Sequence, residues 1–282
     1  DWLVKLSLLM VKDDKPEGER HPELHTLDEK LYNSPAMALA VAMKAVAAAG
    51  RLAQLNFERG CKVLAKYDPA LAAEIDKDED CIDQFTDNSD RFLIGLSKMV
   101  ETEADDRQLD MLMQTVPNFE RIGDYATNMV ELAQRMQSEN AAFSETAKKE
   151  LVLITQAVNE ILDITVSAFS NDDNEAAKAI EPLEETIDDM IMMLKDRHTK
   201  RLKNGQCSIA SGLVFMEALT YFERASDQCS SIAVMMLARN NEQILQNHYE
   251  YLREIHAGND VVYLAEKDRR REQYIKPLKQ IV

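Results

Sequence analysis

Phe119-Glu120-Arg121-Ile122-Gly123-Asp124 returns as Phe222-Glu223-Arg224-Ala225-Ser226-Asp227, 103 residues further along the chain. A second block, Glu79-Asp80-Cys81-Ile82-Asp83, returns as Glu184-Glu185-Thr186-Ile187-Asp188 at an offset of 105. Chance can supply one such pair in an acidic helical chain. Two pairs in the same order at nearly the same offset indicate a duplicated unit.

Working outward from these blocks, each unit reads as three helices. Ser34-Pro35 is an N-cap followed by proline at the first helical position, opening an Ala-rich helix that runs to about Lys66. Asp68-Pro69 repeats the signal and opens a helix from about residue 70 to 100. After a polar break at 101–106, a third helix ends near Arg135, and 138–144 reads as a connector. Leu151, Ile154, Val158, Ile161, Leu162 and Phe169 then mark an apolar helical stripe. A turn at 171–174, a helix stop at Asn204-Gly205 and a helix from about Ser208 to Arg239 complete the second unit. The remainder, to about Tyr274, reads as further helix interrupted near Ala257-Gly258-Asn259. No run alternates as a half-buried strand would. The expected fold is therefore all-α: two tandem three-helix bundles, 34–137 and 145–240, with a C-terminal helical extension over 241–282. Residues 12–33, charged and broken by Pro16, Gly18 and Pro22, close an N-terminal linker over 1–33.

Composition agrees. Gly and Pro are scarce, aromatics are 6%, and the net charge of −17 argues against nucleic acid as a partner, because phosphate contacts need clustered Lys and Arg. Cys61, Cys81, Cys207 and Cys229 form no C-x-x-C pair, which suits reduced thiols in a cytosolic compartment. No stretch approaches the roughly 20 apolar residues of a membrane span. Residues Trp2–Val11 are apolar but short and lack the flanks of a signal peptide, so the chain reads as a soluble portion of something longer.

The repeated blocks carry chemistry because residues four apart share a helix face. Glu79/Asp83, Glu120/Asp124, Glu184/Asp188 and Glu223/Asp227 each stack two carboxylates, with Asp80 and Glu185 as further candidate ligands one position around the helix. A single pair of this kind is more often a solvated face, and Arg121 and Arg224 are placed to neutralise Asp124 and Asp227. Duplication of both blocks favours a converging cluster that needs a cation or a proton. All-oxygen ligands select magnesium, manganese, calcium or ferric iron over structural zinc.

Phe119–Glu131, FERIGDYATNMVE, resembles the PhoU family motif E-R-I-G-D-H-A-x-N-I-A-E. Arg201–Ala233 resembles the second repeat of that family. The lead-in Leu27–Pro35 with Ala38-Leu39, and Tyr251–His256 near the end, resemble the PhoU-like domain of bacterial sodium/phosphate cotransporter proteins. The resemblance covers about residues 27–257. It implies two three-helix bundles related by a pseudo-twofold axis. It also implies a divalent or ferric metal cluster (iron, manganese or magnesium) on Glu79, Asp83, Glu120, Asp124, Glu184, Asp188, Glu223 and Asp227, with Asp80 and the motif Asn128 as adjuncts. The implied function is a cytosolic regulatory domain of a sodium-dependent phosphate transporter, with 1–33 leading in from a membrane region. Its place would be the cytoplasmic face of the membrane; its partners would be the transporter domain of the same chain and a second copy in a homodimer. A stand-alone PhoU-type regulator of phosphate ABC transport and signalling is the alternative, and a carboxylate-bridged metal enzyme the third reading. The chain departs from the motif at Tyr125 and Gln228, where the family has His, and at Ser231, the counterpart of Asn128. Ala225-Ser226 replaces Ile122-Gly123 in the second repeat, and Pro117 precedes the first motif as a potential kink.

Other constellations read as structure. The five histidines are scattered with no Glu-x-x-His pair, which argues against a ferritin-like di-iron oxidase. Met190, Met192 and Met193 suit core packing, Arg269-Arg270-Arg271 suits a solvated patch, and no phosphate-cradling glycine motif is present. Catalysis is not expected.

Overall fold

The computed structural model describes residues 21–257 and 260–281. The α-helices among the described residues are numbered in chain order: α1 (Pro35–Ala65), α2 (Pro69–Leu96), α3 (Glu103–Ser138), α4 (Glu145–Asn171), α5 (Asn174–Ala177), α6 (Ile180–Lys203), α7 (Ile209–Arg239), α8 (Glu242–Gln246), α9 (His248–His256) and α10 (Val261–Gln280). Among the described residues there is no strand. Helices α1, α2 and α3 pack as one bundle, α4, α6 and α7 as a second, and the two join through α3 against α7 and α1 against α4.

Local chemistry sets the boundaries. The side chain of Asp68 accepts from the amides of Ala70 and Leu71, and those of Thr102, Ser144 and Ser208 each accept from the amide three residues on. These satisfy first-turn amides that a helix leaves unpaired. Ser34 occupies the expected position but its side chain makes no cap bond, so Pro35 carries that start. Asp172 and Gly205 adopt left-handed backbone at the ends of α4 and α6. Helix α3 runs through Pro117 without a break, whereas the second unit's middle segment divides into the single turn α5 and the longer α6.

The bundles share one large apolar core, with a smaller cluster around Val63, Ile75 and Val130 set apart within the first bundle. The repeated phenylalanines build the large core across the junction: Phe119 meets Phe169 edge-on at 5.5 Å, and Phe222 meets Phe57 at 6.1 Å. Tyr125 stacks on Tyr221 at 5.9 Å. Helices α1 and α4 are long and apolar enough, by length and composition, to cross a membrane, which corrects the expectation that no stretch is. In this fold they supply the bundle interior, with much of each apolar window covered by neighbouring helices.

Close packing of α1 on α3 depends on Gly50. A Cβ there would lie 2.7–2.9 Å from three ring atoms of the fully buried Phe119. Gly50→Ala should therefore lower stability by about 1–3 kcal/mol through overpacking, read as a fall in the urea midpoint. An unchanged midpoint would show that the ring can move aside.

The described part of the expected linker is docked. Residues 22–25 and 29–33 form two 3-10 turns on α1 and α2, with Leu24 buried and the Tyr32 hydroxyl donating to the Phe92 carbonyl at 3.0 Å. The apolar segment Trp2–Val11 lies outside the described residues, as do Gly258 and Asn259 at the expected interruption between α9 and α10.

The expectation of a solvated patch at 269–271 holds for Arg269, which is exposed and pairs with Glu266 of its own helix, and is corrected for Arg270 and Arg271. Arg270 is 3% exposed and bonds Glu160 of α4 and Glu266, while Arg271 bonds Asp189 of α6. Tyr274 and Gln273 also donate to Glu160. Arg270 and Arg271 fasten α10 across the acidic faces of α4 and α6. Met190 is core, as expected, whereas Met192 is exposed.

Candidate functional site

Helices α2 and α3 approach closely where Ile82 faces Gly123; a Cβ on Gly123 would lie 3.0 Å from Ile82 Cδ1. That contact brings the residues flanking Ile82 and Gly123 together. One carboxylate oxygen from each of Glu79, Asp83 and Asp124 lies within 4.8 Å of the others. The second unit repeats the arrangement with Glu184, Asp188 and Asp227, again within 4.8 Å. Ser226 stands where Gly123 does, but its hydroxyl turns back to the Glu223 carbonyl at 2.8 Å, so it needs little room between the helices.

Electrostatics follow from this convergence. Burial first, and then Asp83 and Asp124, push Glu79 up to about 7. Burial first, and then Glu181, Asp188 and Asp227, push Glu184 up to about 9. Asp188 rises to about 6 from burial and the adjacent Asp227 and Glu223. Asp83, Glu120, Asp124 and Asp227 are all raised, each chiefly by burial. Each cluster therefore holds a proton near neutrality unless a cation displaces it. Clustered carboxylate oxygens are the donors that magnesium, manganese and ferric iron prefer, so the residues present fit such an ion.

The remaining candidates sort by contact. Glu120 lies one turn before Asp124 and feels it, but stands outside the three-oxygen group. Asn128 is half-buried one turn beyond Asp124, and Asp80 is exposed beside Glu79. Glu223 is held by Lys195 at 2.5 Å. Glu185 is bonded by Lys267 and Tyr263 of α10; these bonds outweigh the effect of burial and keep its carboxyl below the usual range. The second cluster is thus partly neutralised from within the fold, while the first has Asp90 at the position 105 residues before Lys195.

Residues without a repeated motif also matter. Glu181 accepts from Ser230 at 2.5 Å and lies 2.8 Å from His256 Nε2, which brings α9 to the edge of the second cluster. A signal for Lys195 was available: it stands seven residues after Asp188 on the same helix face.

The PhoU domain matches this chain twice, over residues 46–133 and 151–236, so each match spans one pair of acidic blocks. The chain belongs to the PhoU family. A phosphate-specific transport system accessory protein PhoU homolog from Aquifex aeolicus is 25% identical over 146 residues. That alignment takes in 51% of this chain and 65% of the relative, slightly less than two thirds of its length. The fold is similar to the crystal structure of the phosphate transport system regulatory protein PhoU from Streptococcus pneumoniae, with a TM-score of 0.66 at 18% identity, over 75% of this chain and 99% of that one. PhoU from Pseudomonas aeruginosa gives a TM-score of 0.66 at 20% identity, over 74% and 98%.

Proposed function

We propose that this chain is a PhoU-type regulator of phosphate transport that acts by binding rather than by catalysis, on the cytoplasmic side of the membrane. The observation that carries this reading is the double PhoU match laid over two carboxylate clusters of the same construction. The relatives named above are described as a regulatory and an accessory protein of phosphate transport, which favours the stand-alone alternative over a domain borne by a sodium-dependent transporter. Its partner would be a component of a phosphate transport system.

Glu79, Asp83 and Asp124 would hold one hard cation, with Glu120 and Asn128 adjacent; Glu184, Asp188 and Asp227 would hold another. A bound cation would supply positive charge that offsets carboxylate repulsion and ties the two helices of each unit together. Occupancy then favours one packing of those helices over others, and a partner that distinguishes the packings senses it.

The test is phosphate uptake in a host lacking its own PhoU-type regulator. Expression of this chain should restrain uptake in phosphate-rich medium; uptake equal to that of the empty-vector strain would overturn the regulatory reading. Metal analysis of the purified protein tests the site separately. Glu120→Ala combined with Asp124→Ala should remove the first-repeat metal and leave the second, and full retention would exclude that site.

A further inference from the structure

Away from both acidic clusters, the last turn of α6 meets the first turns of α4 and α7 around a small cavity of about 10 Å³, walled in part by Phe143 and Ala147. Its walls include Ser144, His198, Arg201, Cys207, Ser211 and Phe215. Arg201 is 9% exposed and ion-pairs through Nη1 with Glu150 at 2.7 Å. Its Nε and Nη2 atoms are buried and have no hydrogen-bond partner among the described residues. These two atoms form the flat edge with which a guanidinium grips an oxyanion through two parallel bonds. His198, 2% exposed, likewise has an unpartnered Nε2.

Both side chains are locked in place. His198 stacks on Phe215 at 4.9 Å, and the Arg201 guanidinium lies 5.3 Å from the same ring. Gly212 permits the approach of α7, since a Cβ there would lie 3.0 Å from His198 Nε2. Two helix N-termini, those of α4 capped by Ser144 and α7 capped by Ser208, border the cavity and favour negative charge. The charge balance agrees, because Arg197 and Arg201 together exceed the single carboxylate of Glu150 between them. Buried guanidinium and imidazole nitrogens without partners are costly, and an entering acceptor removes that cost.

We infer that this junction is an oxyanion-binding site for a tetrahedral anion of the phosphate type, gripped by the Nε–Nη2 edge of Arg201 and by His198. The cavity as it stands holds one water-sized body, so entry of the anion requires the segment 204–207, which joins α6 to α7 and contributes Cys207, to swing outward. The site is independent of the metal clusters and does not rest on the regulatory reading.

The test is calorimetric titration of the full chain with inorganic phosphate, in chelator and at low ionic strength so that no metal-bridged phosphate contributes. Sulfate forms a second arm, and chloride controls for ionic strength. Saturable binding of about one anion per chain is expected. Arg201→Lys, which keeps a charge for Glu150 but loses the two-bonded edge, should weaken binding roughly tenfold or more. His198→Gln should weaken it less, and in ¹⁵N-histidine spectra phosphate should shift the ring signals of His198 alone. Binding of phosphate and sulfate alike supports a general tetrahedral-anion site; binding of phosphate alone supports a phosphate-selective one. Absence of saturable binding for both, or binding that folded Arg201→Lys retains in full with His198 unshifted, overturns the proposal. Because uptake control is measured separately, either result stands apart from the regulatory test.

Discussion

Glu150→Ala is expected to destabilise the protein by on the order of 3–5 kcal/mol, the cost of leaving buried charge without its partner. Glu150 lies within α4, is 0% exposed, and faces Arg197 at 3.2 Å and Arg201 at 2.7 Å, both on α6. Arg197 also donates to the carbonyl of Ile281 at 3.1 Å, so the same ion group fastens the chain beyond α10. Removal of the carboxylate leaves the buried Arg201 guanidinium without its ion partner and Arg197 with only the Ile281 carbonyl. Glu150→Gln should lose less, since the amide oxygen still accepts from one arginine. Replacement of all three residues by apolar side chains of similar volume should come closer to neutral, because the desolvation cost of the ions disappears with them. Denaturant unfolding measures each; a loss under about 1 kcal/mol for Glu150→Ala would show that water reaches the site.

A second large effect concerns pH. Glu79 and Glu184 titrate in the folded protein at about 7 and about 9, above the ordinary value of 4.5. Between the ordinary and the folded value, the native state holds more protons than the unfolded chain. Stability of the metal-free protein therefore falls as pH rises from about 4.5 through 7 for Glu79, and on to about 9 for Glu184. A tenfold change in proton affinity corresponds to about 1.4 kcal/mol, and screening together with proton sharing among neighbours reduces the total to on the order of 2–4 kcal/mol. Glu184 is 9% exposed and should contribute most. Melting curves in chelator should thus show a lower Tm at pH 9 than at pH 5. Glu184→Gln should flatten the slope, and manganese or magnesium should raise Tm most at high pH, where the ligands are fully ionised. A Tm that climbs between pH 5 and 9 in chelator would contradict the convergence of these carboxylates.

How much of this was legible beforehand differs by residue. The helix starts at Pro35 and Pro69 and the stop at Gly205 were readable because backbone chemistry at a helix end is local. Glu79, Asp83 and Asp124 could be placed on facing helices because spacing by four defines a face and the repeat marks which face matters. Glu223 looked equivalent to Glu120, yet Lys195 from the neighbouring helix occupies it. Glu185 looked like an adjunct ligand, yet α10 captures it with Tyr263 and Lys267. Glu150 gave no signal at all, since one acidic residue beside an apolar stripe resembles any solvated position until α6 closes over it.

The amino-acid order alone determined the all-helical class, the duplication and the pairing of carboxylates along each helix. Those features depend on period, caps and repetition, which act over a few residues or by direct comparison of one segment with another. Tertiary structure alone decided which carboxylates meet, which are neutralised, that Arg270 and Arg271 fasten α10 while Arg269 stays at the surface, and that Arg201 keeps an unpartnered edge beside His198. Burial and partner choice across 28 to 110 residues of separation arise only when helices pack, because the cost of an unpaired charge is set by what excludes water around it.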